Sequence, residues 1–426
     1  HSGVPVCVDI VGESGSGKTA LVRHFVAELP APKVVLESVC SQRESVPFRA
    51  CDGLVDAVAG HLSRIPGSLC EALIHDLGGP LYALAQIFPV LARLPWIANQ
   101  TPPTLHEPLE LRRRAFSALK LLLFRIAERH PTVLIFDNLQ WGDRDSAHLI
   151  EHLLAPPGVP PCLFLLVYRP APHAAALSHL AHIRALMTPT YALHHIETPP
   201  LSPAAAVSLA QRLLAALPSP RRTRIAQKIA REAGGSPALI QVLAEEANRP
   251  GGDAELTLSG EGELLVRLVR SRTEGLSNEA RELLGRIVVS RGSLRLPELL
   301  KAGPWRGDIL ATLAQLQARG LIRTESDGED RQISPLNEPL QHAAMSVFDV
   351  ALLRRSHRDL ATALLSANAD QSERVAYHLH AAGLHEEAFE HATSAAYLAT
   401  KALAFDRAAE LYRLALQCKA GSWSVR

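Results

Sequence analysis

The chain has 426 residues, of which 47% are hydrophobic and 20% are charged. This balance allows sizeable cores and excludes a largely disordered protein, and the length predicts two to four domains at roughly 100 to 200 residues each. The formal net charge of +1 excludes a strong overall field that would attract nucleic acid or anionic lipid. No apolar run approaches the roughly 20 residues that a membrane span requires, so we expect a soluble protein.

Five short apolar runs alternate with segments of helical periodicity. They lie at Val4–Val11, Val34–Val39, Thr132–Phe136, Cys162–Tyr168 and, more weakly, Tyr191–Ile196. Buried strands that alternate with helices are typical of a parallel sheet covered on both faces. We therefore predict an α/β domain over residues 1–198.

A Leu- and Ala-rich stretch at about 41–105 separates the second run from the third and predicts a helical insertion. The next helix, about Leu109–Arg129, carries three consecutive arginines, Arg112, Arg113 and Arg114. We interpret these arginines first as a solvated helix face. Contact with phosphate or with a partner is the alternative.

The strand pattern stops after Pro199, and the rest of the chain is mainly helical. Ser-Pro pairs begin the first two helices and predict a helical lid over residues 199–255. Helices followed by two strands around a turn at Asp327 predict a winged helix over residues 256–345. The Ala-rich remainder, 346–426, contains a weak internal echo twenty residues apart, which predicts truncated TPR-like repeats.

The cysteine and histidine residues show no pattern typical of a metal site or a disulfide framework. The six cysteines are scattered without a CxxC pair, and the 19 histidines show no HExxH spacing. We therefore expect no metal beyond magnesium and a reducing, cytoplasmic location. The chain enters a strand-like run within a few residues of His1, which we interpret as a fragment of a longer protein without a signal peptide.

The most specific motif spans residues 12–19 and reads GESGSGKT, which fits GxxxxGK[ST] in every position. It lies between a predicted strand and a predicted helix, the context that a P-loop requires. Its glycines let backbone N–H groups turn toward phosphates, and the helix N-terminus adds a favourable dipole. We expect Lys18 to reach the outer phosphates of ATP and Thr19 to bind Mg²⁺. The predicted nucleotide-binding residues of this segment are Gly12, Glu13, Ser14, Gly15, Ser16, Gly17, Lys18, Thr19 and Ala20.

The segment Thr132–Asp137 reads TVLIFD, an apolar strand that ends in an acid. This form is typical of a Walker B motif, whose carboxylate holds magnesium. We assign that role to Asp137, although a generic strand followed by a turn aspartate would look the same. The next residue is Asn138, where many hydrolytic P-loop enzymes have an acid that orients water. Because an amide cannot accept a proton, the sequence supports nucleotide binding more strongly than hydrolysis.

Three further residues could reach such a site. Arg169 follows the fourth strand, which in a parallel sheet would end near the γ-phosphate. A cation there would sense or stabilise the phosphate, and the alternative is an arginine that leaves the strand for solvent. Glu44 and Asp143 are acids in loops, for which surface or helix-capping roles fit better.

The predicted winged helix is not basic. Asp308–Gln317 contains no Lys or Arg, and the predicted wing carries Glu325, Asp327, Glu329 and Asp330. Phosphate contacts dominate DNA affinity, and an acidic wing would repel phosphate. This pattern favours internal packing over DNA binding.

Four segments, in this order, resemble the STAND class of P-loop signalling ATPases: GESGSGKTALV, IFDNLQWGDRDS, LLVYR and GGSPALI. The stretch RESVPFRACDGLVDAV is similar in particular to the ATPase module of bacterial multidomain serine/threonine protein kinases, which also occurs beside adenylate cyclase and LuxR-type output domains. The resemblance covers nearly the whole chain. It implies an α/β P-loop NTPase domain with a parallel sheet and helices on both faces, followed by a helical lid, a winged helix and TPR-like helical repeats.

The resemblance also implies roles for single residues. Asp137 would be the Walker B acid, Arg169 the sensor arginine after the fourth strand, and Pro237 the adenine-contacting proline. The family usually shows two acids before LQW, and Asn138 departs from this pattern. The implied cofactors are ATP or ADP and Mg²⁺, with Thr19 and Asp137 as the metal-binding residues.

These features predict an ATP-binding signal-transduction ATPase that acts as a nucleotide-dependent switch and hydrolyses ATP slowly. Its catalytic candidates are Lys18, Asp137, Asn138 and Arg169. An unknown protein or small-molecule inducer would bind the helical repeats. A fused output domain, such as a serine/threonine protein kinase, would lie outside this chain. We expect no membrane partner and no nucleic acid.

Three alternatives stay open. The first is an ATP-binding scaffold that does not hydrolyse ATP, for which Asn138 is the best support. The second is a transcription regulator that uses the winged helix on DNA, and the acidic wing counts against it. The third is a small-molecule P-loop kinase, which would leave the C-terminal half of the chain without a role.

Overall fold

The apolar runs of the N-terminal part form a sheet in the computed structural model. The structure describes residues 4–40, 47–75, 77–98, 107–170, 192–248, 261–290, 292–327, 330–335, 338–366 and 371–424. The chain divides into two compact units, of which the first comprises His1–Pro200 and Tyr397–Ala409 and the second Leu201–Ala396 and Glu410–Arg426. The first unit contains the larger sheet, and the second is mainly helical.

All neighbouring strands in the sheet of the first unit run parallel, in the order β2-β3-β4-β1-β5. The strands are β1 (Val6–Val11), β2 (Val34–Val39), β3 (Thr132–Asp137), β4 (Leu163–Tyr168) and β5 (Ala192–Glu197). The predicted runs are thus confirmed as strands of a parallel sheet. Because β4 lies between β1 and β3, the carboxyl ends of these three strands are neighbours at one edge of the sheet.

Helices occupy most of the chain between these strands. In the described part of the first unit they are α1 (Lys18–Glu28), α2 (Arg49–Arg64), α3 (Gly67–Ile74), α4 (Gly78–Ile87), α5 (Pro95–Ala98), α6 (Pro108–Arg129) and α7 (Arg144–Leu154), with 3-10 turns at Pro89–Arg93 and Leu139–Trp141. Helix α1 packs on the sheet, where its Val22 is buried with Ile10 and Ile135. The stretch predicted as a helical insertion contains α2 to α5, and its residues 41–46 and 99–105 lie outside the described ranges.

The three consecutive arginines of α6 differ in their surroundings. Arg113 is 71% exposed and pairs with Glu110, as expected for a solvated helix face. Arg112 is buried and forms an ion pair with Asp145, with 3.0 Å between its Nη1 and Oδ1 of Asp145. The prediction of a solvated face is therefore wrong for Arg112. Its spacing places it on the apolar stripe of α6 with Phe116, and its guanidinium carbon lies 5.2 Å from the centre of that ring.

The second unit combines helices with a small antiparallel sheet. Its described elements are α8 (Pro203–Leu213), α9 (Ser219–Glu232), α10 (Pro237–Ala247), α11 (Glu261–Thr273), α12 (Asn278–Val289), β6 (Leu294–Arg295), α13 (Leu296–Lys301), α14 (Ile309–Ala318), β7 (Ile322–Asp327), β8 (Asp330–Pro335), α15 (Glu338–Val347), α16 (Val350–Leu365) and α17 (Ser372–Ala382). Helices α18 (His385–Lys401) and α19 (Phe405–Ser424) contribute residues to both units. Within the described ranges, none of the helices combines the length and the apolar character that crossing a membrane requires.

The small sheet follows helices as the sequence predicted. Its order is β6-β8-β7, and β7 pairs antiparallel with β8. Residues 328–329, which belong to the predicted wing, lie outside the described ranges. The assignment of this region as a winged helix and the predicted domain boundaries stay predictions.

A buried ion pair joins two helices of the second unit. Nη2 of Arg272 in α11 lies 2.9 Å from Oε2 of Glu246 in α10, and both side chains are less than a tenth exposed. Nη1 of Arg272 also donates to the carbonyl of Gly320, at 2.8 Å. Arg272 of α11 therefore binds both α10 and Gly320, which follows α14.

The internal echo of the C-terminal helices has a structural counterpart. The N–H of Leu384 donates to the carbonyl of Leu379, and twenty residues later the N–H of Ala404 donates to the carbonyl of Ala399, both at 2.9 Å. A left-handed residue precedes each of these donors, namely Gly383 and Leu403. Bonds of this pattern end helices at a Schellman-type turn. The two turns repeat, and the assignment of TPR-like repeats stays a prediction.

Candidate functional site

The loop between β1 and α1 has the backbone that its glycines predict. Gly15 and Gly17 have φ values of 75° and 99°, in the left-handed region that favours glycine. Gly17 is the N-cap of α1, and its carbonyl accepts the N–H of Leu21 at 2.9 Å. The loop therefore leads directly into the N-terminus of α1, where N–H groups and the helix dipole favour an anion.

Gly12 lies under Thr198, the residue after β5. A Cβ atom on Gly12 would lie 2.1 Å from Oγ1 of Thr198 and 2.7 Å from its carbonyl oxygen, so only glycine fits. Thr198 is held by its N–H, which donates to the carbonyl of Val11 at 2.8 Å. Its hydroxyl lies 2.7 Å from Oγ of Ser16. Thr198 therefore fastens the loop to the end of the neighbouring strand.

Lys18 is buried at the start of α1, with 8% of its surface exposed. Its Nζ donates to the carbonyls of Gly12 and Glu13, at 2.8 and 2.7 Å. Burial lowers the pKa of Lys18, the negative charges of Asp137 and Glu13 oppose this, and the positive charge of Arg169 lowers it further. The charges of Glu13, Asp137 and Arg169, which come from three separate segments of the chain, therefore all act on the ammonium group of Lys18.

Thr19 and Asp137 are in direct contact. The Thr19 hydroxyl donates to Oδ2 of Asp137 at 2.7 Å, and Asp137 is 3% exposed at the end of β3. Its other oxygen, Oδ1, accepts the N–H of Asn138 at 2.8 Å. A hydroxyl and a carboxylate oxygen side by side are hard oxygen donors of the kind that Mg²⁺ prefers, so the residues present fit the implied metal.

Asn138 has a left-handed backbone, with φ 59°. Asparagine tolerates this conformation better than most residues. Its Oδ1 lies 3.5 Å from Nε2 of Gln140, and Oε1 of Gln140 accepts the N–H of Arg169 at 3.2 Å. Asn138 thus belongs to a chain of polar contacts that links the end of β3 to the end of β4.

Arg169 lies at the carboxyl edge, as its position after β4 predicted. Its guanidinium carbon lies 4.5 Å from the centre of the Trp141 ring, which fixes the side chain by a cation–π contact. The side chain is half-buried, so it does not simply leave the strand for solvent. Its role as a phosphate sensor stays a prediction.

Of the two loop acids, Asp143 has the helix-capping role that the sequence favoured. Its Oδ1 accepts the N–H of Ser146 at 2.6 Å, at the N-terminus of α7, and its Oδ2 accepts the N–H of Arg49 at 2.9 Å. The capping aspartate therefore also holds the start of α2. Glu44 lies outside the described residues, as do the flanking residues 41–46.

Asp145, two residues further, has no solvent exposure and was not predicted as functional. Its carboxylate accepts the N–H groups of Asp406 and Arg407, at 3.3 and 2.9 Å, in the first turn of α19. Burial raises the pKa of Asp145 to about 6, although the N–H of Arg407 and the charge of Arg112 lower it. A side chain eight residues after Asp137 thus caps a C-terminal helix within the first unit.

Pro237 is the first residue of α10, in the second unit. The side chain of Ser236 caps this helix by accepting the N–H of Leu239 at 3.5 Å. The preceding glycines, Gly234 and Gly235, both have positive φ. The GGSP segment is therefore a turn into a helix, and its contact with adenine stays a prediction, as does the role of the exposed Ala20 in α1.

Sequence reasoning missed Thr198, Gln140 and Trp141 at this site. Thr198 can be located only once β5 is known to pair with β1, because the residue that follows such a strand ends near the P-loop. The segment LQW contributed to the family resemblance, but nothing in its spacing indicated that Gln140 binds a backbone N–H or that Trp141 stacks on Arg169.

Comparison with known proteins gives one family match and several structural likenesses. Residues 1–166 match the AAA ATPase domain family. A search of curated proteins found no match. Among solved structures, the chain is similar to a signal transduction ATPase with numerous domains (STAND) protein with a tetratricopeptide repeat sensor from Pyrococcus horikoshii, at 13% identity and a TM-score of 0.49. The alignment covers 97% of this chain and 56% of that protein, so the chain spans little more than half of its length.

Two other solved structures are similar over most of the chain. One is the Walker-type ATPase paby2304 of Pyrococcus abyssi, at 15% identity and a TM-score of 0.35, with 80% of this chain and 91% of that one covered. The other is Cdc6p from Pyrobaculum aerophilum, at 16% identity and a TM-score of 0.32, with 80% and 87% covered. With TM-scores below 0.5, these likenesses carry no argument about function.

The family match agrees with the STAND-class resemblance in the part of the chain that holds the P-loop and the Walker B strand. An AAA ATPase domain implies nucleotide binding, and the described geometry of the loop and strand ends fits it. Residues 1–166 form an AAA-type ATPase domain.

Proposed function

We propose that this chain is the regulatory ATPase module of a larger signal-transduction protein and that it binds ATP with Mg²⁺ at the carboxyl edge of the parallel sheet. The main support is the 2.7 Å contact between Thr19 and Asp137, directly beside the P-loop. A P-loop threonine and a Walker B aspartate are the two protein ligands that hold magnesium in P-loop NTPases.

Each residue of the site has a role that follows from its chemistry. The P-loop backbone and the N-terminus of α1 favour phosphate oxygens, and Lys18 carries a positive charge to the outer phosphates. Thr19 and Asp137 would hold the metal, and Arg169 would add positive charge at the end of β4. When bound, MgATP supplies the phosphoryl group and a divalent charge that polarises it.

Slow hydrolysis fits the residue after Asp137. A general base must accept a proton, and the amide of Asn138 cannot. The side chain can still orient a water molecule by hydrogen bonding. A non-hydrolysing scaffold is the second candidate, and the observation that favours it is the engagement of Asn138 with Asp137 and Gln140.

A switch requires that the nucleotide site bias another part of the molecule. The segment after β3 supplies a short route. Asp137 would hold magnesium, Asp143 caps α7 and holds α2, and Asp145 caps the first turn of α19. A shift of this segment would alter the cap of α19. We infer that the C-terminal helices receive the inducer and that a fused output domain, such as a serine/threonine protein kinase, reports the nucleotide state.

DNA binding by the small sheet and its helices has less support. Helix α14 carries no Lys or Arg. The guanidinium of Arg319, which follows it, donates to the carbonyls of Arg272 and Glu274 at 2.9 and 2.6 Å. Arg323 pairs with Glu325. These basic residues are engaged within the protein.

The test measures ATP binding by calorimetry and phosphate release with Mg²⁺, on the full chain. We expect Lys18→Ala to weaken ATP binding by at least roughly 100-fold, or about 2.7 kcal/mol, while Lys33→Ala, a control on the same unit, leaves it unchanged. Unchanged binding by Lys18→Ala would contradict the nucleotide site.

The same assay separates the switch from the scaffold. If Asn138 slows turnover, Asn138→Asp should raise phosphate release, by up to about 100-fold, and Asp137→Ala should abolish it. Binding without release in both the parent chain and Asn138→Asp would favour the scaffold. Release by the parent chain that Asn138→Asp leaves unchanged would show that another group positions the water.

A further inference from the structure

Two histidines and a cysteine meet in the C-terminal helices of the second unit. They are His380 near the end of α17, His385 at the start of α18, and Cys418 on α19. One nitrogen or sulfur atom from each residue lies within 4.8 Å of the other two. These residues are remote in sequence from the P-loop, and the sequence pattern indicated no metal beyond magnesium.

The turn between α17 and α18 brings the two imidazoles together. Gly383 has a left-handed backbone, with φ 83°, and its N–H donates to the carbonyl of His380 at 3.0 Å. The chain therefore reverses within four residues, and the two rings lie 5.3 Å apart, centre to centre. Histidines separated by three to five residues are a recurring ligand spacing in structural zinc sites, and His380 and His385 have four residues between them.

Cys418 completes the cluster from a third helix. It is fully buried, is a free thiol and packs with Leu379 and Ala388. Its Sγ lies 3.3 Å from Nδ1 of His380. In a tetrahedral site with bonds of about 2.0 to 2.3 Å, ligand atoms are about 3.3 to 3.7 Å apart, so this pair already has a suitable separation.

An S–H···N hydrogen bond between Cys418 and His380 is the simpler reading of that contact, but it leaves His385 unexplained. Nδ1 of His385 is buried and has no hydrogen-bond partner among the described residues. Buried polar atoms are normally satisfied. An ion bound through Nδ1 would satisfy this nitrogen.

We propose that His380, His385 and Cys418 bind a zinc ion. Two imidazoles and one thiolate are the nitrogen and sulfur donors that zinc prefers. Both histidines are half-buried, so a fourth position is open to water or to another ligand. Binding requires the most widely separated ligand atoms of the cluster to approach one another by on the order of 1 Å. A bound ion would join α17, α18 and α19 through their side chains.

The test uses the full chain without a polyhistidine tag, reduced and freed of metal by chelation. Zinc is titrated in competition with a chromogenic chelator, and cobalt(II) serves as a spectroscopic probe. We expect one zinc ion per chain at this site, and a cobalt complex with the thiolate charge-transfer band and the visible absorption of tetrahedral coordination. Absence of stoichiometric zinc binding, or a cobalt spectrum without the thiolate band, would overturn the proposal.

Matched variants locate the site. Cys418→Ser and His385→Ala should each weaken zinc binding by more than the roughly 10- to 100-fold that loss of a second-shell partner costs. Cys70→Ala, at another buried thiol, and His391→Ala, two turns along α18, should bind zinc as the parent chain does. Asp137→Ala keeps the thiolate band if the ion is at this cluster and not at the magnesium site.

Folding is checked separately by circular dichroism of each variant without metal. Should Cys418→Ser fail to fold, the conservative change His385→Gln tests the same ligand set from the half-buried side. Undiminished zinc affinity in a folded His385→Gln or His385→Ala variant would also overturn the proposal.

Discussion

The two compact units bury polar side chains in different ways. In the first unit, Lys18 begins the helix that follows β1 and Asp137 ends β3, so both lie at the carboxyl edge of the parallel sheet, inside or next to a sequence motif. In the second unit, Glu246 of α10 pairs with Arg272 of α11, and no sequence motif indicates this pair. His380 of α17 likewise contacts Cys418 of α19. A parallel sheet gathers its strand ends at one edge, whereas helices bring together residues at almost any separation. A site at a sheet edge is therefore far easier to predict from sequence than one between helices.

The largest predicted loss of stability concerns the buried ion pair of the second unit, which tests whether such a pair between helices matters as much as the motif residues do. Arg272→Ala removes one partner and leaves the carboxylate of Glu246 buried without its main cation. Breaking a buried pair in this way destabilises by about 3 to 5 kcal/mol. Arg270→Ala, an exposed neighbour on α11, should change stability by less than about 0.5 kcal/mol. Chemical denaturation of the full chain, followed by circular dichroism, measures both changes, and equal effects of the two variants would contradict the assignment.

A smaller effect is expected for a methyl group added at the P-loop. In Gly12→Ala the new Cβ meets both the hydroxyl and the carbonyl oxygen of Thr198, so removing the hydroxyl alone cannot relieve the clash. Overpacking of this kind costs about 1 to 3 kcal/mol, and we expect ATP affinity to fall as the loop is displaced.

The matched control is Gly60→Ala, because Gly60 lies inside α2 with no atom within 4 Å of the added Cβ. Alanine is a better helix former than glycine, so this change should stabilise the protein by about 0.5 to 1 kcal/mol. Thermal unfolding and calorimetry with ATP would compare the two variants. A Gly12→Ala variant that binds ATP normally would show that the loop tolerates displacement by Thr198.

The smallest effect concerns the pH dependence of stability at Asp145. Burial raises its pKa to about 6, the nearby carboxylates Asp143 and Asp406 raise it, and the N–H of Arg407 and the charge of Arg112 oppose them. The ordinary pKa of an aspartate is about 3.9. Because the folded-state pKa is raised, the contribution of Asp145 to folding is fully present below about pH 4 and is lost as the pH rises through about 6.

The comparison of the parent chain with Asp145→Asn isolates this contribution. Between pH 5 and pH 7, the free energy of unfolding of the parent chain should fall by about 1 kcal/mol relative to that of Asp145→Asn. Denaturation curves at several pH values measure it, with other titrating groups common to both proteins. A difference that stays constant with pH would mean that Asp145 has an ordinary pKa.

Much of the first unit could be predicted because its signals are local. The five apolar runs became strands, and the glycines of GESGSGKT took the backbone that the motif requires. The prediction failed where the sequence allowed a residue to be either exposed or buried and only the tertiary packing decides between them. Arg112 looked like its neighbours Arg113 and Arg114, yet it lies on the apolar stripe of α6 and pairs with Asp145.

The residues that sequence reasoning missed depend on tertiary contacts. Thr198 meets Gly12 only because β5 pairs with β1. His380, His385 and Cys418 come together only because three helices pack around one buried thiol, and the spacing of the two histidines alone is common by chance. The polar chain from Asn138 to Arg169 likewise requires β3 and β4 to be neighbours.

The contact between Thr198 and the P-loop also affects how freely the chain after β5 can move. Thr198 is followed by Pro199 and Pro200, and the second unit begins at Leu201. Proline fixes the φ torsion, and the residue before a proline is restricted as well. Residues 198–200 of the first unit therefore have few freely rotating torsions, and the hydroxyl contact of Thr198 with Ser16 anchors the first of them to the loop. A displacement of the loop would therefore shift the start of the diproline segment with it.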